Sequence, residues 1–218
     1  MASDTKLAQL LVSRLCHDLV GPAGALANGV DLLKELGGDG EIVDLIAASA
    51  GRLAHQLDFF RVAFGLRGGD DPHSGWDEAR RLAAGIVDGT RIGIDWPDGA
   101  GDAPVPAAAL RLVLCLVLVA RDALPRSGTI TVRIGDARGS AGSGLNAIVC
   151  AHGERVVLND DLVTALEARS QVDEVSPRTV HGDFAARLAR SLGAVITLDR
   201  PSAGEARLSL SGAVDPAQ

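Results

Sequence analysis

His17 is the residue around which chemistry is most readily built, and it stands in the segment Cys16-His17-Asp18-Leu19-Val20-Gly21-Pro22. Imidazole ordinarily titrates at about 6.5, so near neutral pH one ring nitrogen is free to act as nucleophile, base or ligand. A carboxylate follows at once in Asp18, and a guanidinium precedes by one helical turn in Arg14. A lone helical histidine is most often an ordinary surface residue, and what surrounds His17 argues for more. On a wheel of about 100° per residue, Leu11, Leu15, Leu19, Pro22, Leu26 and Leu33 fall within about 40° of one direction, and His17 lies about 160–200° away. Its neighbours on that outer face are Ser13, Gly21, Gly24, Asn28 and Asp31, small or polar, with Leu10 the exception. Glycine within a helix costs roughly 1 kcal/mol against alanine, and proline roughly 3. Something other than helix propensity must therefore favour Gly21, Pro22, Gly24 and Gly29. Small residues beside an exposed ring let a partner's backbone come close, and Pro22 is expected to kink the helix and present the ring. Ser13, Gly21, Gly24 and Asn28 are thus the candidate partner-binding residues.

The elements that carry this face follow from periodicity. Apolar residues recur three, four or seven apart from about Asp4 to Leu36, with Asp4 placed to cap the start. Gly37-Gly38-Asp39-Gly40 reads as a helix stop and tight turn. A second stripe follows at Ile42, Ile46, Leu53, Leu57, Phe60 and Phe64, so two long helices form an antiparallel hairpin. Within the hairpin there is little to cover the stripe, which predicts pairing with a second copy in a dimeric four-helix bundle. The stretch Gly65–Gly75 has no periodicity and separates a hairpin domain, residues 1–68, from a second domain, residues 76–218. There the pattern predicts helices at Trp76–Val87, Pro106–Leu124, Asp160–Ala168 and Arg178–Leu192, and strands at Thr90–Trp96, Thr129–Ile134, Leu145–Ala151, Val195–Leu198 and Glu205–Ser211. Gly135–Gly144 reads as a loop between two strands. The fold class is α+β, a helical hairpin followed by an α/β sandwich.

Composition narrows the function. The chain has 218 residues, 47% of them apolar and 22% charged, as in soluble globular proteins. A formal charge of -7 argues against nucleic acid, whose phosphates require clustered Lys and Arg. Cys16, Cys115 and Cys150 are odd in number and without CxxC spacing, which points to neither a disulfide framework nor a zinc site and is in keeping with a reducing cytoplasm. The longest uncharged apolar run, Leu112 to Ala120, is too short to span a bilayer. His55 is expected on the outer face of the second helix. His73, His152 and His181 have no metal-ligand spacing, so no metal ligand is assigned. Arg80-Arg81 reads as a solvated helix face.

His17-Asp18-Leu19-Val20-Gly21-Pro22, with Ala25-x-x-Asn28-Gly29-x-x-Leu32-Leu33 after it, resembles the phospho-acceptor box of sensor histidine kinases. The second domain resembles their ATP-binding region in degraded form. Where such kinases carry N-L-L-x-N-A and then A-L-P-x-G-G-x-I-x-V, this chain has Cys115-Leu116-Val117-Leu118-Val119-Ala120 and Ala123-Leu124-Pro125-Arg126-Ser127-Gly128-Thr129-Ile130-Thr131-Val132. Cys115 and Val119 replace both asparagines of the magnesium-binding box. Ala151-His152-Gly153-Glu154-Arg155 stands where D-x-G-x-G would read adenine, and the glycine-rich lid is missing unless Val180-His181-Gly182 is its remnant. An intact histidine box joined to a broken nucleotide site resembles the ChpT family of alphaproteobacterial histidine phosphotransferases.

That resemblance implies a homodimer that takes a phosphoryl group on His17 from the receiver domain of a hybrid histidine kinase. It then gives the group to the receiver aspartate of a response regulator in cell-cycle control, without binding ATP. It also implies no cofactor of its own, Mg²⁺ being supplied by the partner receiver. Asp18 is implied to orient or deprotonate the ring, while Arg14 is placed either to touch phosphoryl oxygens or to pair with Asp18. Gly21 stands where many kinases carry Thr or Asn to position water, which speaks against hydrolysis of the partner's phospho-aspartate. A non-catalytic dimer that sequesters a receiver is the alternative from another class.

Overall fold

Helix α1 (Ala2–Leu36) is a single helix with Pro22 inside it, and helix α2 (Gly40–Ala63) returns along it. The computed structural model describes residues 2–36, 40–65, 75–97, 105–136, 145–167 and 171–212. The predicted turn at residues 37–39, most of the predicted boundary Gly65–Gly75 and residues 137–144 of the predicted loop lie outside them, as does His73. The two helices touch closely at Gly29, where a Cβ would stand 2.7 Å from Cγ1 of Ile46. Just beyond α2, Gly65 takes a left-handed φ of 71°, which ends the helix at little steric cost.

The second half contains α3 (Trp76–Val87), β1 (Ile92–Asp95), α4 (Ala107–Asp122), β2 (Gly128–Asp136), β3 (Leu145–His152), α5 (Asp160–Leu166), α6 (Val180–Ser191), β4 (Ala194–Ser202) and β5 (Glu205–Gly212). These agree with the predicted elements to within a few residues, except β4, which runs four residues past its predicted end. β4 is one of the two edge strands and pairs with β5 beyond its apolar run, so backbone pairing rather than side-chain alternation sets its length. The sheet order is β1-β2-β3-β5-β4, with β1 parallel to β2 and every other neighbour antiparallel.

Helix α4 is apolar almost all round because it is enclosed almost all round. α2, α3, α6 and the sheet all pack against it, and Leu112–Ala120 is buried without a break. The core cluster continues into the hairpin through Phe59, Phe60, Ala63 and Phe64 at the end of α2. This adds a partner that the periodicity did not name. Leu11, Leu15 and Leu19, expected to be covered by the second helix and by a second copy, also pack against this core within the same chain, because α6 lies against the first half of α1. Val12, Val20 and Leu36 of α1, and Val43, Leu45 and Leu57 of α2, stay exposed.

Candidate functional site

His17 projects from α1 with 81% of its side chain exposed, while the side chain of Asp18 beside it is only 6% exposed. Asp18 Oδ1 nevertheless lies 3.1 Å from His17 Nδ1. Successive helical side chains diverge by about 100° and do not face each other without help, so the Asp18 rotamer must be held from elsewhere. Arg14 Nε donates to Asp18 Oδ2 at 3.0 Å, and Arg121 Nη2 of α4 stands 3.7 Å from the same oxygen. Burial alone would raise the Asp18 carboxyl. Arg14, the His17 hydrogen bond and Arg121 outweigh it and hold the group below its ordinary value. Asp18 is therefore a carboxylate near neutral pH and can only accept, so His17 Nδ1 carries the proton. In the neutral ring the lone pair is then on the exposed Nε2.

Arg14 is itself buried. Its Nη2 donates to Asp122 Oδ2 at 2.6 Å, and its Nη1 lies 3.4 Å from Nδ1 of His181. Burial would lower its pKa, but Asp122 and Asp18 raise it. Of its two expected uses, the structure displays the pairing with Asp18, and the rest of the guanidinium is directed to Asp122 and His181 rather than outward. His181, whose sequence context suggested a relic of the glycine lid, stands in the first turn of α6 and is fully buried. Its Nε2 is 3.5 Å from Asp122 Oδ2 and has no hydrogen-bond partner among the described residues. Burial first, then Arg14 and Arg121, push its pKa down to about 4 against the pull of Asp122 and Asp18, so the ring is neutral. A cleft of about 740 Å³ opens at this junction, where Ser13, His17 and Asp18 face Arg121, Asn159 and Arg178.

The predicted partner-binding residues do not all occupy one environment. Gly21 and Gly24 are exposed, with nothing beyond the local helix itself within 4 Å of where a Cβ would stand among the described residues, and Asn28 is exposed too. Ser13 lines the cleft. Gly29, counted with them as a costly glycine, has a packing reason instead, since it admits Ile46. Gly182 likewise makes room for Leu162 of α5, 2.7 Å from its absent Cβ. His55 does not point freely outward, because α3 packs there. Its ring lies against Gly85, with Nδ1 3.7 Å from Asp88. Arg80 and Arg81 pair with Asp77 and Glu78 on the surface of α3.

At the place of the kinase magnesium box, Cys115 and Val119 are both in the core. The Cys115 thiol faces the carbonyl of Ala63 at 3.6 Å, with its pKa pushed up to about 12 by burial. Neither side chain offers an oxygen to a cation. A different grouping appears on the sheet, where the β3–β5 register brings Cys150, His152 and Glu205 within 4.8 Å of one another. Spacing along the chain could not disclose it. Arg207 Nη2 already pairs with Glu205 there at 2.9 Å.

A family model described as the histidine phosphotransferase C-terminal domain matches residues 76–204. The chain is 34% identical over 128 residues to the protein phosphotransferase ChpT of Brucella abortus (strain 2308), a match covering 59% of this chain and 60% of that protein. It thus spans less than two thirds of that relative's length. Among solved structures, one of a bacterial phosphotransferase superposes with a TM-score of 0.78 at 25% identity, over 94% of this chain and 95% of that one. The histidine kinase domain of the Erythrobacter litoralis EL346 blue-light activated histidine kinase gives a TM-score of 0.49 at 14% identity, over 89% and 96%. Among the described residues no helix is long and apolar enough to cross a membrane.

Proposed function

The chain belongs to the ChpT-type histidine phosphotransferase family, and from that membership we propose that it relays a phosphoryl group through His17 in two-component signalling. The donor is the receiver aspartate of a hybrid histidine kinase and the acceptor the receiver aspartate of a response regulator, in a cell-cycle pathway. Transfer begins with in-line attack by Nε2 on the aspartyl phosphate. The N–P bond forms, the P–O bond breaks, and the donor carboxylate leaves. Positive charge grows on the imidazole as it bonds to phosphorus. Asp18, accepting from Nδ1–H, stabilises it as the carboxylate of a catalytic triad does. Transfer to the acceptor aspartate reverses these steps, with Mg²⁺ supplied by the receiver and none held by this chain.

The observation that carries this proposal is the pairing of an exposed ring with a buried carboxylate, on a helix face left open at Gly21 and Gly24. Loss of ATP binding is part of the proposal, supported by the burial of Cys115 and Val119 where a metal would need amides. A homodimer through the hairpin is part of it too, supported by the exposed Val12, Val20 and Leu36.

One experiment tests the proposal. The protein is incubated with labelled ATP alone and then with a receiver labelled on its aspartate. Label is expected only in the second case, on wild type and not on His17→Ala. Label from ATP alone would make it a kinase, and label persisting on His17→Ala would remove the central assignment.

A further inference from the structure

The largely buried ion network beneath His17, with Arg14 and His181 at its centre, joins the two halves of the chain. Arg14 and Asp18 come from α1, Arg121 and Asp122 from the end of α4, and His181 from the start of α6. On an isolated helix an Arg–Asp pair four residues apart is worth only a few tenths of a kcal/mol. Such a pair would not hold one rotamer in water. Here Asp122 fixes the guanidinium from the opposite side at 2.6 Å, and the neutral His181 ring packs against it. Arg14 can only donate, so Nδ1 of His181 accepts and its proton sits on Nε2, facing Asp122. Every link is thus consistent in charge and proton direction, from Asp122 and His181 through Arg14 to Asp18 and Nδ1–H of His17.

We infer that Asp122 and His181 are positioning residues for His17: through Arg14 they hold the Asp18 carboxylate on Nδ1, so that phosphorylation at Nε2 depends on the second domain being seated against α1. This rests on the phosphotransfer proposal. It adds that the second domain sets the reactivity of the acceptor ring, beyond any service as a docking surface. Without the network Asp18 is free to turn to solvent. The ring then loses both its tautomer preference and the carboxylate that stabilises the developing imidazolium.

The test uses phosphoramidate, a small donor that needs no docking. Nε2 attacks phosphorus, the P–N bond breaks and ammonia leaves. Wild type, Asp122→Asn, Asp122→Glu and His181→Gln are compared as full chains, with folding monitored by circular dichroism. Initial rates are taken from pH 6 to 9, and the His17 tautomer is read by nitrogen-15 NMR. In wild type His17 is expected mainly as the Nδ1–H form. Asp122→Asn should slow phosphorylation by about tenfold or more, a fraction of what a well-placed acid–base group contributes, and shift His17 toward the Nε2–H form. Asp122→Glu should restore part of both. If Asp122→Asn does not fold, His181→Gln carries the comparison without altering charge, and the same two changes are expected at smaller size. Wild-type rates and tautomer in both folded variants would overturn the inference, and so would a slower rate with an unchanged tautomer. Failure of a receiver to phosphorylate a wild type that phosphoramidate does phosphorylate would instead count against the relay proposal and leave the positioning result intact.

Discussion

Acid should destabilise this protein through His181 before it affects the carboxylates. The ring is fully buried and faces Arg14 and Asp18 from α1 and Arg121 and Asp122 from α4, and its pKa falls from 6.5 to about 4. In the unfolded chain the ring binds a proton below about 6.5, whereas in the folded chain it does not until about 4. Between those values the unfolded state holds the extra proton, so stability falls as pH drops through the window and is indifferent to this group above it. Two and a half units at about 1.36 kcal/mol per unit amount to about 3 kcal/mol at the lower end. That is a large part of the roughly 5–15 kcal/mol typical of a domain. Asp18 does not blur the result. Its carboxyl is held below its ordinary 3.8, so the stability it contributes is present above 3.8 and is lost only as pH falls through its lower folded value. Urea denaturation of wild type and His181→Gln at pH 7, 6, 5 and 4.5 isolates the effect, since glutamine does not titrate. Wild type is expected to lose about 2–3 kcal/mol more than the variant between pH 7 and 4.5. Parallel losses would refute the claim that His181 is buried as a neutral ring.

Two glycines of α1 should respond oppositely to alanine. Gly24→Ala gains up to about 1 kcal/mol from helix propensity in open space, whereas Gly29→Ala drives a methyl toward Ile46 and costs about 1–3 kcal/mol, both read from denaturation midpoints. Leu26→Asp puts a charge on a half-buried position of α1. Sedimentation should then report monomers or unfolded chain, and an unchanged folded dimer would remove the hairpin as the dimer interface. Gly24→Trp should block phosphoryl transfer from a labelled receiver while phosphoramidate still labels His17, and receiver transfer at the wild-type rate would show that this face is not where the receiver docks.

Much of the fold was legible because its cues are local. Three-to-four spacing marked α1 and α2, the change to mixed apolar runs marked the α/β half, and the elements lie within a few residues of where those patterns placed them. The exposure of His17 was legible for the same reason, since a helical wheel needs only the residues within a few turns. The fate of the stripe on α1 was not. Periodicity tells that Leu11, Leu15 and Leu19 need cover, but it cannot say whether a second chain or the end of α2 and the second domain provides it. Nor could it separate Gly21 and Gly24, which face open space, from Gly29, whose missing Cβ is required by a side chain in another helix.

The nature of the acceptor site divides along the same physical line. Sequence alone determined that a nucleophilic imidazole stands on the outer face of a helix, with a carboxylate next to it and small residues around it. Only the tertiary structure decided how that carboxylate is aimed. Asp18 reaches the ring because Arg14 holds it, and Arg14 is held by Asp122 and His181, 108 and 167 residues away along the chain. The pairing of Cys150 and His152 with Glu205 arises in the same manner, from strand register. Contacts of that range leave no periodic trace, because they are chosen by how finished helices and strands pack, and the energies that fix a rotamer or a proton exist only once burial has removed the competing water.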